Sequence, residues 1–274
     1  LGERPPLGRD NKKQGGTAML LEVNHVSKEY RSGVIRTRTV HAVQDVCFEM
    51  KKGEIFGLIG GSGCGKTTIT KMILGLLKPS EGSILFEGRD LTKLRKKEWK
   101  EVHRDIQVVF QHPQMTFNPR GNIRFACTEP ASNYGLVKTR GERDRLAEEL
   151  MEQVGLTRDQ LKKYPHEISG GQAQRLSIIR ALSLNPKLLI CDEPTSMLDV
   201  SVQAQILSLL KSKHREQGLA MLFISHDLEV VQSFCSRVAV MNNGKIVESG
   251  AVKDVFSNPQ HVYTKKLLRS YMHC

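Results

Sequence analysis

No stretch of this sequence approaches the roughly 20 consecutive apolar residues that a membrane-crossing helix needs. The longest apolar runs, such as Ile55–Ile59 and Leu188–Cys191, have the length of strands. If the protein serves a membrane process, a partner supplies the membrane part. Leu1–Ala18 lacks the apolar core of a signal peptide; rich in Gly, Pro and charge, it reads as a disordered leader, with Met19 as a natural start. The six cysteines, Cys47, Cys64, Cys127, Cys191, Cys235 and Cys274, form no CxxC pair. That argues against a disulfide framework or a zinc site and suits a reducing cytoplasm. The nine histidines are equally dispersed. There is no internal repeat and no low-complexity tract, which excludes a tandem duplication. Acidic residues are scarce, 29 against 41 Lys and Arg, and the net charge is +12. Excess positive charge alone is compatible with nucleic acid, an anionic lipid surface or simple solubility. Its densest run, Lys93–Lys100, contains one aromatic residue in a segment of helical character, which suits a solvated face better than a nucleic-acid groove.

What remains is an ordinary globular chain of 274 residues, 39% hydrophobic and 26% charged, long enough to bury a large core. Strand-like runs come first, at Leu20–Val26, Val40–Met50 and Ile55–Ile59, with a Gly-containing basic loop from Arg31 to Thr39. A helical pattern follows from Lys66 through Leu76, then strands around Ser83–Phe86 and Ile106–Phe110. This alternation implies a mainly parallel three-layer α/β fold. Between His112 and about Leu184 the strand signal vanishes, and Gly141–Val154 carries apolar residues at helical spacing, so a helical subdomain is inserted over about 112–185. From Lys187 the alternation resumes: a strand ending at Asp192, a helix over Val200–Gln217, a strand over Ala220–Ser225 and a short helix from Asp227. Asn243-Gly244 signals a hairpin, and Val262–Arg269 an amphipathic terminal helix.

Gly60-Gly61-Ser62-Gly63-Cys64-Gly65-Lys66-Thr67 matches the phosphate-loop pattern G-x-x-x-x-G-K-[ST] between a strand and a helix, followed by Thr68. Its glycines let backbone N–H groups curl around phosphates, and the helix N-terminus adds its positive end. Lys66 is placed to reach the β and γ phosphates of ATP, and the Thr67 hydroxyl to ligate Mg²⁺. Cys64, in an amide-lined loop, is expected to be a reactive thiol shielded by nucleotide. Leu188-Leu189-Ile190-Cys191 ends on two carboxylates. Asp192 suits the Mg²⁺ shell and Glu193 a general base that polarises an attacking water.

Ile168-Ser169-Gly170-Gly171-Gln172-Ala173-Gln174-Arg175 resembles the LSGGQ-x-Q-R signature of ABC ATPases. The resemblance implies a P-loop NTPase core of the ABC type with an N-terminal antiparallel β subdomain, the cassette spanning 19–251. It implies that Ser169, Gly170, Gly171 and Gln172 face the γ-phosphate held by a second ABC ATPase subunit, a copy or a different chain. Further positions resemble the family in order. Tyr30 matches the aromatic that stacks on adenine, and Gln111 the glutamine that senses Mg²⁺ and the attacking water. Ser196-Met197-Leu198-Asp199 matches the D-loop, with Met197 where Ala is usual, and His226 the switch histidine.

Two segments resemble the peptide and nickel importer branch. Phe110–Arg120 is similar to FQ-[DH]-P-x-x-S-L-N-P-R, with Thr116 and Phe117 for Ser and Leu; Asn258–Leu268 is similar to N-P-x-H-P-Y-T-x-x-L-L, with Val262 for Pro. The resemblance makes 252–274 the C-terminal tail of that branch. It implies two transmembrane permease subunits, an extracytoplasmic substrate-binding protein acting indirectly, and a peripheral position on the cytoplasmic face of the inner (plasma) membrane. Nickel or a metal chelate stands first as cargo, with di- or oligopeptides close behind, and no nucleic-acid partner is expected. The rival reading is a soluble ABC ATPase acting on nucleic acid or a protein assembly.

Overall fold

The computed structural model describes residues 19–32, 38–196 and 198–272. The leader expectation for Leu1–Ala18 and the D-loop residue Met197 lie outside the described residues. In chain order, β1 (Met19–Ser32) and β2 (Arg38–Lys51) precede β3 (Ile55–Ile59), which feeds α1 (Lys66–Ile73). Next come β4 (Glu81–Phe86), β5 (Arg89–Asp90), α2 (Trp99–Asp105) and β6 (Ile106–Val109). Three helices follow, α3 (Ile123–Asn133), α4 (Arg140–Gln153) and α5 (Gly170–Leu182). The alternation resumes with β7 (Leu188–Asp192), α6 (Val200–Gln217), β8 (Ala220–Ile224), α7 (Leu228–Phe234), β9 (Arg237–Asn242) and β10 (Lys245–Ala251), and α8 (Val252–Ser257) and α9 (Val262–Met272) end it.

The strands form two sheets. One is antiparallel, in the order β2-β1-β4-β5; the other is β10-β9-β3-β8-β7-β6, parallel except for the edge strand β10. β3, β7 and β8 are buried at every position, as strands covered on both faces must be. Successive residues alternate between two cores. Phe56, Leu58, Leu188, Ile190, Leu222 and Ile224 face the antiparallel sheet and α1. Leu189, Cys191, Met221 and Phe223 face the other way, into the cluster that includes Leu176 and Ile179 of α5, Ile206 of α6 and Val231 of α7. This three-layer arrangement places the C-terminal ends of β3, β6, β7 and β8 at one rim, where ligands of open parallel sheets bind.

Several boundaries differ from the sequence reading. β1 runs through Ser32 and β2 starts at Arg38, so both ends of the stretch read as a basic loop, Arg31 to Thr39, belong to strands. Bulges around His25 and Asp45, both at positive φ, break the two-residue alternation and hide the strand's length. α1 stops at Ile73 rather than Leu76, because Gly75 takes φ +68 and the ring of Trp99 lies where a Cβ would stand. The basic run is not one helix. Glu98 accepts from the Arg95 amide at 2.9 Å and pairs with Arg89 and Arg95, and α2 begins only at Trp99. β4 belongs to the antiparallel sheet, and α8 had no expectation at all. The segment between β6 and β7 is helical, its helices opened by Asn122, by the Thr139–Glu142 capping box and by Ser169. No helix among the described residues is long and apolar enough to cross a membrane.

Candidate functional site

The loop between β3 and α1 is shaped by glycine at its most crowded points. A Cβ on Gly60, at φ +152, would stand 2.1 Å from the Met241 carbonyl oxygen, and one on Gly65, at φ +112, 2.5 Å from that of Ala42. Gly63 is at φ +73 with open space around it. The loop is braced from outside by the β9–β10 turn, where the Gly244 amide donates to the Cys64 carbonyl at 3.0 Å. The Lys66 ammonium is folded into the loop, donating to the carbonyls of Gly60 at 2.7 Å and Gly61 at 3.0 Å. Ser62, Gly63 and Thr67 are exposed and Thr68 half-buried, an amide-lined rim open to solvent at the start of a helix. Cys64 is buried, 6% exposed, with its Sγ 3.6 Å from the Lys66 Nζ. Its expected reactivity is therefore corrected: access is limited, and modification requires the loop to open.

At the end of β7, Asp192 is buried beside Lys66 and hydrogen-bonds Thr67. Burial and the charge of Glu193 push its carboxyl upward from the ordinary value, against the pull of Lys66 and Thr67. Ionised Asp192 is thus a cost to the folded chain, which loses stability as pH rises through the raised pKa. Asp192→Asn should leave the Tm unchanged or higher at neutral pH. A clear fall in Tm by calorimetry would show that the charge supports the fold.

Glu193 stands at φ +52, a backbone state costly for a residue with a side chain and concentrated at functional sites. Its amide donates to the Ile224 carbonyl at 2.9 Å, tying the turn to β8. Its Oε2 accepts from the Gln111 Nε2 at 2.8 Å, and the His226 Nδ1 lies 3.4 Å from the same oxygen. Three residues singled out separately, from the ends of β6, β7 and β8, thus meet at one carboxylate oxygen. Gln111 stands two residues beyond the end of β6. The loop after it is held by α5. Arg180 donates to the Thr116 carbonyl at 3.2 Å, and its guanidinium carbon lies 4.9 Å from the centroid of the Phe117 ring. The two departures from the branch pattern, Thr116 and Phe117, are both absorbed by this one arginine.

Ser169 is the N-cap of α5. Its Oγ accepts from the Gln172 amide at 3.3 Å, and the Gln172 Oε1 accepts from the Ser169 amide at 3.0 Å. Gly170 is exposed, and a Cβ on Gly171 would meet the Val202 side chain at 3.1 Å. Asp199 caps α6 by accepting from the Val202 amide at 2.9 Å, and the Val202 side chain sets the start of α6 against the start of α5. Among the described hydrogen bonds, those of Ser169 stay within its own helix end, and none joins it to Lys66. Tyr30 is 42% exposed on β1, with the Lys28 ammonium 5.7 Å from its ring centroid; it carries no described contact to the phosphate loop.

Comparison with known proteins bears on this geometry. The family model described as ABC transporter matches residues 43–196, just over half of the chain. The chain belongs to the ABC transporter ATPases. It is 44% identical over 256 residues to the oligopeptide transport ATP-binding protein OppF of Haemophilus influenzae, covering 91% of this chain and 77% of that protein. It is also 44% identical over 253 residues to the glutathione import ATP-binding protein GsiA of Pectobacterium atrosepticum, covering 91% of this chain and 40% of that protein. Among solved structures, an ATP-binding cassette captured as a dimer in a post-hydrolysis state with ADP and Pi superposes with TM-score 0.78 at 28% identity, covering 85% of this chain and 99% of the other. A cassette from Clostridium perfringens, part of the cbiONQ transporter complex, gives TM-score 0.75 at 27% identity, covering 92% and 94%.

As an ABC ATPase the chain binds nucleotide, and two side chains at its site were not assigned by sequence reasoning. Arg180 was invisible because its partners lie 64 residues away. Tyr263, quoted only as part of a tail pattern, reaches the phosphate loop: the Gly61 amide donates to its hydroxyl at 2.9 Å. His25, Asp45 and Cys47 also cluster, but they are exposed and satisfy one another. The His25 ring meets Asp45 at 2.7 Å, and its amide donates to the Cys47 Sγ at 3.1 Å.

Proposed function

We propose that the chain is the ATP-hydrolysing subunit of an importer for peptides, acting with a second ATPase subunit beneath two transmembrane permease subunits. The observation that carries the reading is the convergence of Gln111, Glu193 and His226 on one oxygen, beside Asp192, Lys66 and Thr67. The donor set fits Mg-ATP: a hydroxyl and a carboxylate already in contact are the hard oxygen ligands that Mg²⁺ takes, and a loop that admits only glycine at its tightest points presents an amide-lined turn at the start of a helix, the setting that binds phosphate. Thr67, Asp192 and Gln111 would hold the metal, whose chemistry is to neutralise phosphate charge.

The chain's own residues do the rest. Tyr30 stacks on the adenine ring. Gly60 through Thr68 line the phosphates, and Lys66 turns from the loop carbonyls toward the β and γ oxygens. Glu193 takes a proton from the attacking water, oriented by Gln111, while His226 donates to the γ-phosphate. Ser169, Gly170, Gly171, Gln172 and Asp199 close the site on the nucleotide of the opposing subunit, so closure and reopening of the pair drive the permease through the region of Gln111.

For cargo, the names of the relatives favour peptides and glutathione over nickel, reversing the order drawn from the motifs. The rival reading on nucleic acid rested on positive charge, and part of the densest basic run is paired with Glu98 and Asp90. The subunit works at the cytoplasmic face of the membrane, fed indirectly by an extracytoplasmic binding protein. Co-purification from membranes, followed by uptake of labelled dipeptide and labelled nickel into vesicles, tests this. Permease subunits in the complex and ATP-driven dipeptide uptake are the expected result. Binding to nucleic acid with no permease in the complex would replace the reading.

A further inference from the structure

We infer that the C-terminal helix α9 is part of the nucleotide site, with Tyr263 as a positioning residue that fixes the phosphate loop through Gly61. This rests on the nucleotide reading of that loop, and it assigns a role to a segment otherwise characterised only by its pattern.

The Gly61 residue is held on both sides. Its amide donates to the Tyr263 hydroxyl at 2.9 Å, and its carbonyl accepts from the Lys66 ammonium at 3.0 Å. A Cβ on Gly61 would lie 3.1 Å from that same hydroxyl, so loop and tail are in close contact, not bridged at a distance. The ammonium rests on the carbonyls of Gly60 and Gly61. Engaging a triphosphate means withdrawing it from both. Tyr263 is the partner of Gly61 that need not move, so it keeps the loop in its cradle shape while the lysine swings.

The tail is itself rooted. Glu248 of β10 accepts from the amides of Gln260 at 2.7 Å and His261 at 3.0 Å, and the His261 Nδ1 accepts from the Tyr263 amide at 3.1 Å. Further along α9, Leu268 is buried in the core cluster that also takes Val252, Val255 and Phe256 of α8. Tyr263 is therefore delivered to the loop by a docked element. Beneath the loop, the buried Cys64 thiol gives a direct measure of how often the loop opens.

The test compares the full chain with Tyr263→Phe, which keeps the ring and removes only the hydroxyl. Loss of one hydrogen bond to a backbone amide predicts a weakening of Mg-ATP binding by about threefold to tenfold, read with a fluorescent ATP analogue. Without nucleotide, alkylation of Cys64 by iodoacetamide, followed by peptide mapping, should accelerate by a similar factor. The exposed Cys47 serves as an unchanged internal reference. Glu248→Ala, which loosens the root of the tail, should shift both readouts in the same direction and add little in the Tyr263→Phe background, because both act through one contact. Unchanged affinity and unchanged Cys64 alkylation in Tyr263→Phe would overturn the proposal, as would full additivity of the two substitutions. The alkylation assay contains no nucleotide, so it judges the tail separately from the nucleotide reading, which the loss of ATP binding in Lys66→Ala tests by itself.

Discussion

Glu193→Gln should lower ATP turnover by about a hundredfold to ten-thousandfold, the range a positioned general base contributes, while Mg-ATP binding by the subunit persists. The side chain keeps its length, and its amide oxygen can still accept from the Gln111 Nε2, so the contact at the end of β7 survives. What disappears is the group able to receive a proton. Phosphate release under single-turnover conditions separates this from slow product departure, and a nucleotide-loaded dimer should accumulate on gel filtration. Glu193→Asp sharpens the test. The backbone at φ +52 aims the side chain from a fixed turn, and shortening it by one methylene withdraws the carboxylate from Gln111 and His226 without removing charge. If reach matters, the aspartate variant is nearly as slow as the glutamine. If turnover in Glu193→Gln stays within twofold of the parent, the base lies elsewhere.

How much of this site could be read from the chain depends on the range of the interaction. The phosphate loop was legible because its chemistry is local: glycine at fixed offsets, then Lys66 and Thr67, between a strand and a helix. The helix after Asp199 was legible for the same reason, since a cap and the turn it closes are three residues apart. The convergence at Glu193 was only implied by resemblance, for Gln111 lies 82 residues from it and no periodicity encodes that distance. The left-handed turn at Glu193 had no signal, because the residue there is chosen for chemistry and not for backbone preference. β1 was cut short by bulges that break its alternation, and α1 was read too long because the packing of Trp99 over Gly75 is tertiary. The tail was recognised as a pattern, yet its contact with Gly61 spans 202 residues. Local physics locates the parts of the site; the sheet order brings them together.

Ser169 offers the sharpest separation of fold from function. In the single chain it is a well-made cap, and a cap needs only a side-chain oxygen: Asp and Asn serve as well as Ser. Ser169→Asp should therefore fold with nearly unchanged Tm and bind Mg-ATP at its own phosphate loop with unchanged affinity, because no described hydrogen bond joins the two turns within one chain. If this helix end faces the triphosphate held by the opposing subunit, the added carboxylate meets a highly charged anion. Like-charge apposition costs several kcal/mol, so ATP-driven dimerisation should be lost and turnover reduced by more than about a hundredfold. The neutral Ser169→Asn keeps the cap without the charge and should retain much more activity. The helix dipole at Gly170 and Gly171 attracts an anion in all three proteins, so the difference between Asp and Asn reports the charge of whatever sits opposite. Equal turnover in the two variants, with intact folding, would mean that no phosphate approaches Ser169.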